Sequence, residues 1–275
     1  MHPVTSFLKT HGIRLNTDLG QHFLIDDDVL QAIVASAGIE PEDHIVEIGP
    51  GIGVLTKELL KHAGKVTAIE IDPRMISLVK KFVKEFVGQE YSCPTNSLTN
   101  FSLIQGNALH IPLPEHPYKI VANIPYHITS PLLRHAFLES KRIPTSMTLL
   151  IQREVAEKIC DTENTGILTI LVALFGTPSL IMTVPPSAFL PPPEVDSAVL
   201  HIESHSKPLA DSETVDRILK LIKIAFGQKR KMLSNTLGKI PGGAEALTKL
   251  QIDPNRRPQT LTVQEWIAVG ALMRP

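Results

Sequence analysis

Val46-Glu47-Ile48-Gly49-Pro50-Gly51-Ile52-Gly53 is the stretch whose reading decides the fold of this 275-residue chain. A β-type run from His44 to Ile48 ends in a glycine-rich turn, and apolar residues at Val54, Leu55, Leu59 and Leu60 open a helix behind it. Strand, turn and helix in that order make a ligand-holding loop. Gly49, Gly51 and Gly53 let the backbone approach a ligand closely and aim amide N–H groups at it, because a Cβ at these places obstructs the approach. A plain βα turn that binds nothing is the alternative for such a loop taken alone.

Spacing decides which ligand fits. A dinucleotide fingerprint needs G-x-G-x-x-G, but the frame from Gly51 runs Gly51, Gly53, Thr56 and the frame from Gly49 runs Gly49, Gly51, Val54. The third glycine is missing in both, and the Gly-Lys-Ser/Thr ending of a phosphate loop is absent as well. Glu-x-Gly-x-Gly does fit, with Glu70 closing the next apolar run Val66-Thr67-Ala68-Ile69. A carboxylate at the end of a second strand accepts both hydroxyls of a ribose. The pair resembles the S-adenosylmethionine (SAM) loop of Rossmann-like methyltransferases, whose ligand has no pyrophosphate to place at a helix N-terminus.

The chain is long enough for one large domain plus a small one, and 43% hydrophobic against 20% charged residues describes an ordinary soluble protein. There is no run of about 18 apolar residues, and Met1 to Thr17 lacks a continuous apolar core for export, so the expected location is the cytoplasm with no membrane partner. Cys93 and Cys160 have no C-x-x-C spacing and read as two unpaired thiols. The histidines show no H-E-x-x-H pattern, and no metal site is expected. Charge is unevenly spread: from Arg217 to Arg257 ten Lys and Arg stand against Glu245 and Asp253, a net +8 in a chain of formal charge −1, so the remainder carries −9.

Along the chain, Asp26 to Ala37 reads as an amphipathic helix with Val29, Leu30, Ile33 and Val34 on its apolar face, an acidic cap before it and Gly38 as its stop. Leu19-Gly20-Gln21-His22-Phe23-Leu24 ahead of it has no helical periodicity. Pro73 starts a helix to about Val87, and 88–100 is expected to be a long loop. Strands are expected at Phe101–Ile104, Lys119–Ala122 and Met147–Ile151, with helices near Pro131–Leu138 and Glu154–Cys160, while Ile167–Phe175 is helix or strand. This alternation predicts an α/β class: a doubly wound, mostly parallel sheet with ligands outside the carboxyl ends of its strands, where Glu47, Glu70, Asn107 and Asn123 all fall. Ser204 to Glu213 reads as a linker, and helices are expected at Val215–Phe226, Lys229–Leu237, Ala244–Leu250 and Val263–Leu272. The expected division is a SAM-binding domain over 1–205 and a small all-helical domain over 206–275.

Asn123-Ile124-Pro125-Tyr126 follows the fourth strand. Methylating an exocyclic adenine amine is hard because the N6 lone pair is delocalised into the ring. The amide oxygen of Asn123 and a backbone carbonyl beside Pro125 accept both N6 hydrogens and draw the nitrogen toward a tetrahedral, nucleophilic state. Proline fixes φ and holds that carbonyl in place, and Tyr126 offers a face for the base to stack on. Phe189, in Phe189-Leu190-Pro191-Pro192-Pro193-Glu194-Val195-Asp196-Ser197, either covers the other face of the base or is a core residue beside a stiff proline-rich turn.

With Ala225-Phe226-Gly227-Gln228-Lys229-Arg230-Lys231 added, these blocks in order resemble the small-subunit rRNA adenine N6,N6-dimethyltransferase family over nearly the whole chain. The resemblance implies SAM-dependent dimethylation of two adjacent adenosines near the 3′ end of 16S-type rRNA, late in small-subunit assembly, by a monomer. It also implies that His22, Leu24, Gly49, Glu70, Asn107 and Asn123 line the SAM site, beside the loop residues Glu47 and Gly51. Lys223, Lys229, Arg230, Lys231, Arg256 and Arg257 are the expected RNA contacts. The chain departs from the family pattern at His22, often asparagine, at Asn107, usually aspartate, and in its weakly charged stretch from Arg14 to Asp18. Two other readings compete. A resistance-type methyltransferase of large-subunit rRNA shares the SAM and Asn-x-Pro-Tyr blocks, but the tail with Ile252-Asp253-Pro254-Asn255-Arg256-Arg257-Pro258 favours the small-subunit family. A non-catalytic RNA-binding assembly factor has no need of a nitrogen-activating block.

Overall fold

The computed structural model describes residues 3–13, 21–90, 99–228 and 230–274. The chain divides into two compact units, Met1–Arg153 with Ser179–Ile202, and Glu154–Pro178 with Glu203–Pro275.

In chain order the elements begin with α1 (Pro3–Thr10), β1 (Phe23–Leu24), α2 (Asp27–Ser36), β2 (His44–Ile48), α3 (Val54–His62), β3 (Lys65–Glu70) and α4 (Pro73–Glu90). They continue with β4 (Phe101–Gln105), β5 (Lys119–Asn123), α5 (Thr129–Arg134), β6 (Ser146–Gln152), α6 (Arg153–Cys160) and α7 (Ile167–Phe175). The last are β7 (Gly176–Val184), β8 (Phe189–Leu190), β9 (Ser197–Ser204), α8 (Ser212–Phe226), α9 (Gly243–Lys249) and α10 (Val263–Leu272).

Seven strands form one sheet in the order β4-β3-β2-β5-β6-β9-β7, and β4, β3, β2, β5 and β6 run parallel to their neighbours. The chain moves outward from β2 through β3 to β4, then returns to the other side of β2 to lay down β5 and β6. That reversal is a topological switch point between β2 and β5, where a crevice opens beyond the carboxyl ends. All five residues of β2 are buried, as a central strand covered on both faces requires. The covering includes α2, whose N-terminus is capped by Asp26 accepting from the Val29 amide at 3.1 Å and whose Val29, Leu30, Ile33 and Val34 join Ile45, Leu59, Val66 and Val121 in the core.

Several elements differ from the sequence expectation. Val4, Phe7 and Leu8 have helical spacing in α1 and pack with Phe23, Ile52, Met75 and Phe82, so the N-terminal stretch belongs to the core. The helix α4 runs to Glu90, into the expected 88–100 loop, and 91–98 lie outside the described residues. Strands β7 and β9 were not expected. Pro178 interrupts the first, which a sheet tolerates because β7 closes one end of the strand order. Ile167–Phe175 proves to be helix.

The expected boundary at 205/206 differs from the observed units, which group 154–178 with the C-terminal helices. The reason is α7, apolar on every side, which needs cover all round and finds it against α8 and α10. There α8 is capped by Asp211 accepting from the Thr214 amide at 2.8 Å, and α10 by a box in which Thr262 and Glu265 exchange hydrogen bonds. Gly270 lets α10 approach α8 closely: a Cβ there meets Ile218 Cγ1, and Arg217 Nε donates to the Gly270 carbonyl at 2.7 Å. The expected helix over 229–237 is replaced by short 3₁₀ turns at Leu233–Asn235 and Leu237–Lys239, with Lys229 outside the described residues. Among the described residues no helix is long and apolar enough to cross a membrane, and no group of three or more His, Cys, Asp or Glu is placed to hold a metal.

Candidate active site

Four neighbouring strands, β4, β3, β2 and β5, bring their carboxyl ends to one crevice, and the polar residues expected there arrive with them. Glu47 sits one residue before the end of β2, Glu70 ends β3, Asn107 lies two residues past β4 and Asn123 ends β5. All four line a cavity of about 380 Å³, together with His22, Leu24, Gly49, Gly51 and Pro125.

Gly49, Gly51 and Gly53 all adopt positive φ, but their amides do not point at a ligand as expected. The Gly49 N–H donates to Ile69 O at 2.9 Å, Gly53 N–H to Pro50 O at 2.9 Å, and Gly51 N–H to Glu70 Oε2 at 3.2 Å. At Gly51, φ +58° disfavours a side chain and a Cβ would lie 2.5 Å from the Phe23 ring, so this position needs glycine twice over. The loop is thus a thin floor that holds Glu70.

Glu70 is 5% exposed and accepts from Gly51 N–H and, through Oε1, from Asp72 N–H at 2.7 Å. Burial pushes its carboxyl above the usual range, while those amides pull the other way. A carboxylate has about four acceptor sites, so the Gly51 and Asp72 amides leave acceptor capacity for a diol. Asp72 is fixed by Arg74 Nε at 2.9 Å and by Gln21 Nε2 at 2.9 Å, and the Arg74 guanidinium holds its carboxyl low. Asn107 Oδ1 accepts from Leu109 N–H at 3.0 Å, which turns the chain beyond β4.

Glu47 is 1% exposed and accepts the Thr56 hydroxyl at 2.6 Å. Burial raises its pKa to about 8, with the Thr56 hydrogen bond opposing the rise and the neighbouring Glu70 charge adding to it. The folded state therefore keeps a proton that the unfolded chain releases near pH 4.5. The stabilisation this gives is complete below pH 4.5 and is lost as pH rises through about 8. Glu47→Gln, which keeps the shape and still accepts from Thr56, is expected to lose less stability than the parent between pH 5 and 9, by on the order of a few kcal/mol. Denaturant unfolding across that range checks it; parallel pH profiles would show that Glu47 does not titrate with folding.

Asn123 donates through Nδ2 to the His22 carbonyl at 3.1 Å, which leaves Oδ1, with no partner among the described residues, to accept from a ligand. Pro125 lines the cavity, and Tyr126 is anchored by a 2.6 Å hydrogen bond between its hydroxyl and Ser197 Oγ. The His22 and Tyr126 rings lie within 13° of parallel, 6.4 Å between centroids. Phe189 is elsewhere: it is 3% exposed, paired with Leu24 across the antiparallel β1–β8 ladder and packed in the core. Of its two readings the structure gives the core one, and Phe189 does not line the cavity.

Ile71, Ala108 and Leu109 also line the cavity, and sequence reasoning passed over them. Ile71 is 58% exposed, unusual for isoleucine. Its signal was an apolar residue directly after the strand-ending Glu70, where the chain has already left the sheet.

In the helical unit Lys223, Arg230, Lys231 and Arg257 are exposed. Two backbone hydrogen bonds, Leu233 N–H to Arg256 O and Ser234 N–H to Pro254 O, each 2.8 Å, hold the 230–234 and 254–257 stretches side by side. Arg256, expected to contact RNA, is instead committed to Glu265, with bonds of 2.6 and 3.0 Å, and to the Thr260 carbonyl. Its two nitrogens match the carboxylate of the α10 capping box, so it secures that helix.

A cavity at the switch point that offers free acceptors for a diol, an amide beyond β4 and no pyrophosphate cradle suits a sulfonium nucleoside. This chemistry, on a mostly parallel seven-stranded sheet, defines a Rossmann-like, SAM-dependent methyltransferase. The family model described as ribosomal RNA adenine dimethylase matches residues 12–273. A ribosomal RNA small subunit methyltransferase A of Dehalococcoides mccartyi is 39% identical over 97% of this chain and 91% of its own length; one of Alkaliphilus metalliredigens is 35% identical over 95% and 92%. Among solved structures, a dimethyladenosine transferase from Plasmodium falciparum is similar with a TM-score of 0.74 and 27% identity over 90% of this chain and 96% of that one. The 23S rRNA methyltransferase ErmE gives 0.71 and 26% over 90% and 98%. The chain belongs to the ribosomal RNA adenine dimethylase family.

Proposed function

We propose that this enzyme transfers methyl groups from SAM to the N6 amines of two adjacent adenosines near the 3′ end of small-subunit rRNA, late in subunit assembly, acting as a cytoplasmic monomer. The observation that carries the chemistry is the orientation of Asn123, whose Nδ2 is spent on the His22 carbonyl so that Oδ1 is free to take an N6 hydrogen. SAM supplies an electrophilic methyl on a positively charged sulfur. Glu70 takes the ribose hydroxyls, Asn107 faces the adenine amine, and His22, Leu24, Glu47, Gly49 and Gly51 shape the rest of the cofactor's cavity. Asn123 and the carbonyl beside Pro125 grip the target amine, with Tyr126 under the base. The small-subunit substrate is favoured over the large-subunit one because relatives named for the small subunit are 39% and 35% identical over nearly the whole chain, against 26% for the large-subunit enzyme.

Tritiated methyl transfer to small subunits lacking the modification, followed by nucleoside analysis, tests this reading. N6,N6-dimethyladenosine at two adjacent positions is expected. Label confined to large-subunit RNA, or no label, would overturn it.

The helical unit's exposed cations are the proposed phosphate contacts. Replacing Lys223, Arg230, Lys231 and Arg257 by alanine is expected to lower the salt slope of subunit binding by about three to four units, at one phosphate each. Arg256→Ala should leave the slope nearly unchanged and lower the melting temperature. Filter binding over a salt series reads the slope, and an unaltered slope in the quadruple variant would mean the surface is merely solvated.

A further inference from the structure

We propose that the imidazole of His22 takes the proton that leaves the target amine. The inference rests on the methyltransferase reading and adds a catalytic residue to it. His22 Nδ1 lies 2.8 Å from the carbonyl oxygen of Pro191. A carbonyl only accepts, so Nδ1 carries the hydrogen, and in the neutral ring Nε2 keeps its unshared pair. Among the described residues no side chain or amide is hydrogen-bonded to Nε2. The backbone carbonyl of the same residue accepts from Asn123 Nδ2 at 3.1 Å, and its ring lies within 13° of parallel to Tyr126. His22 lines the cavity alongside Asn123 and Pro125, and the bond to Asn123 ties it to the residue proposed to grip the amine.

The other candidates serve less well. The Asn123 oxygen and the carbonyl beside Pro125 accept hydrogen bonds but are too weakly basic to keep a proton. Tyr126 shares its hydroxyl with Ser197, and burial pushes the phenol up. Of the carboxyl groups lining the cavity, Glu70 is bonded to two amides, Asp72 to Arg74 and Gln21, and Glu47 to Thr56. His127, also on the lining, is exposed, and its ring has no tie that fixes a tautomer among the described residues. Each transfer releases one proton: the N6 lone pair forms the new N–C bond, the methyl carbon's bond to sulfur breaks with its electrons remaining on sulfur, and the N6 proton passes to His22 Nε2 and then to water. The cycle repeats for the second methyl, since the monomethylated amine still carries one hydrogen.

Single-turnover methylation against pH, together with ¹⁵N NMR of labelled histidine in the ligand-free enzyme, tests the proposal. The parent rate is expected to rise with pH to a plateau, and the NMR should show the proton of the neutral ring on Nδ1 and none on Nε2. His22→Asn, compared at saturating SAM, should run about a hundredfold slower on the plateau and lose the acid limb. His22→Ala should be partly rescued by added imidazole, which a purely structural role does not allow, and His127→Gln should keep the acid limb. A His22→Asn profile that retains the parent acid limb, or a proton found on Nε2 in the neutral ring, overturns the proposal. A parent enzyme that methylates no rRNA instead overturns the reading on which it rests, whatever the tautomer.

Discussion

Asn123→Ala is expected to lower the rate constant for methyl transfer by on the order of a hundredfold or more, the scale of losing one preorganised polar group. The amide is held by its nitrogen, which donates to the His22 carbonyl, so its oxygen reaches the target amine without first being reoriented. That oxygen contributes more as the nitrogen becomes tetrahedral than before, and an interaction of this kind appears in kcat. Affinity for the small subunit should barely move, since the proposed phosphate contacts lie on the helical unit. Because Asn123 also lines the cofactor cavity, turnover must be compared at saturating SAM. Both methyl additions should slow, the second because a single N6 hydrogen remains to be gripped. Loss of the His22 carbonyl's partner costs only about 1 kcal/mol of stability, so the variant should stay folded. A variant that binds subunits and SAM normally and methylates at the parental rate would show that Asn123 is structural.

What the sequence disclosed and what it hid follow the range of the interactions. Glu47, Glu70, Asn107 and Asn123 were legible because each sits at or just past a short apolar run, and a parallel sheet delivers such ends to one edge. The purpose of the glycines was only half legible. Close approach could be read from the missing side chains, whereas the capture of their amides by Ile69, Pro50 and Glu70 depends on partners up to 20 residues away. Phe189 was undecidable for a related reason: a strand of two residues has no periodicity, and its facing is set by pairing with Leu24 far along the chain. Arg256 looked like one more cation in a basic tail, and only the fold of that unit brings Glu265 to it. The strands β7 and β9 escaped because Pro178 and the prolines between them at 185, 186 and 191–193 drew the reading toward loop, although Leu180–Val184 and Ala198–Ile202 are strand-type apolar runs.

Glu70→Ala is expected to weaken SAM binding by about 1.5 to 3 kcal/mol, the range for losing a charged hydrogen-bond partner. The structure adds a second effect that the sequence did not suggest. The carboxylate is also the acceptor for the amides of Gly51 and Asp72. Removing it leaves two buried donors without a partner, at about 1 to 3 kcal/mol each where water does not replace it. The variant should therefore melt well below the parent, and its SAM affinity must be measured by calorimetry at a temperature where both are folded. The pH dependence separates the two roles. Burial lifts the Glu70 carboxyl above its ordinary range, so the parent's grip on the ribose should begin to fail on acidification at a pH above 4.5, as the charged acceptor is neutralised. The alanine variant, already without that acceptor, should show no such loss. If its SAM affinity equals the parent's at neutral pH while its melting temperature falls, Glu70 is a brace for the glycine loop alone, and the ribose must be held by another group.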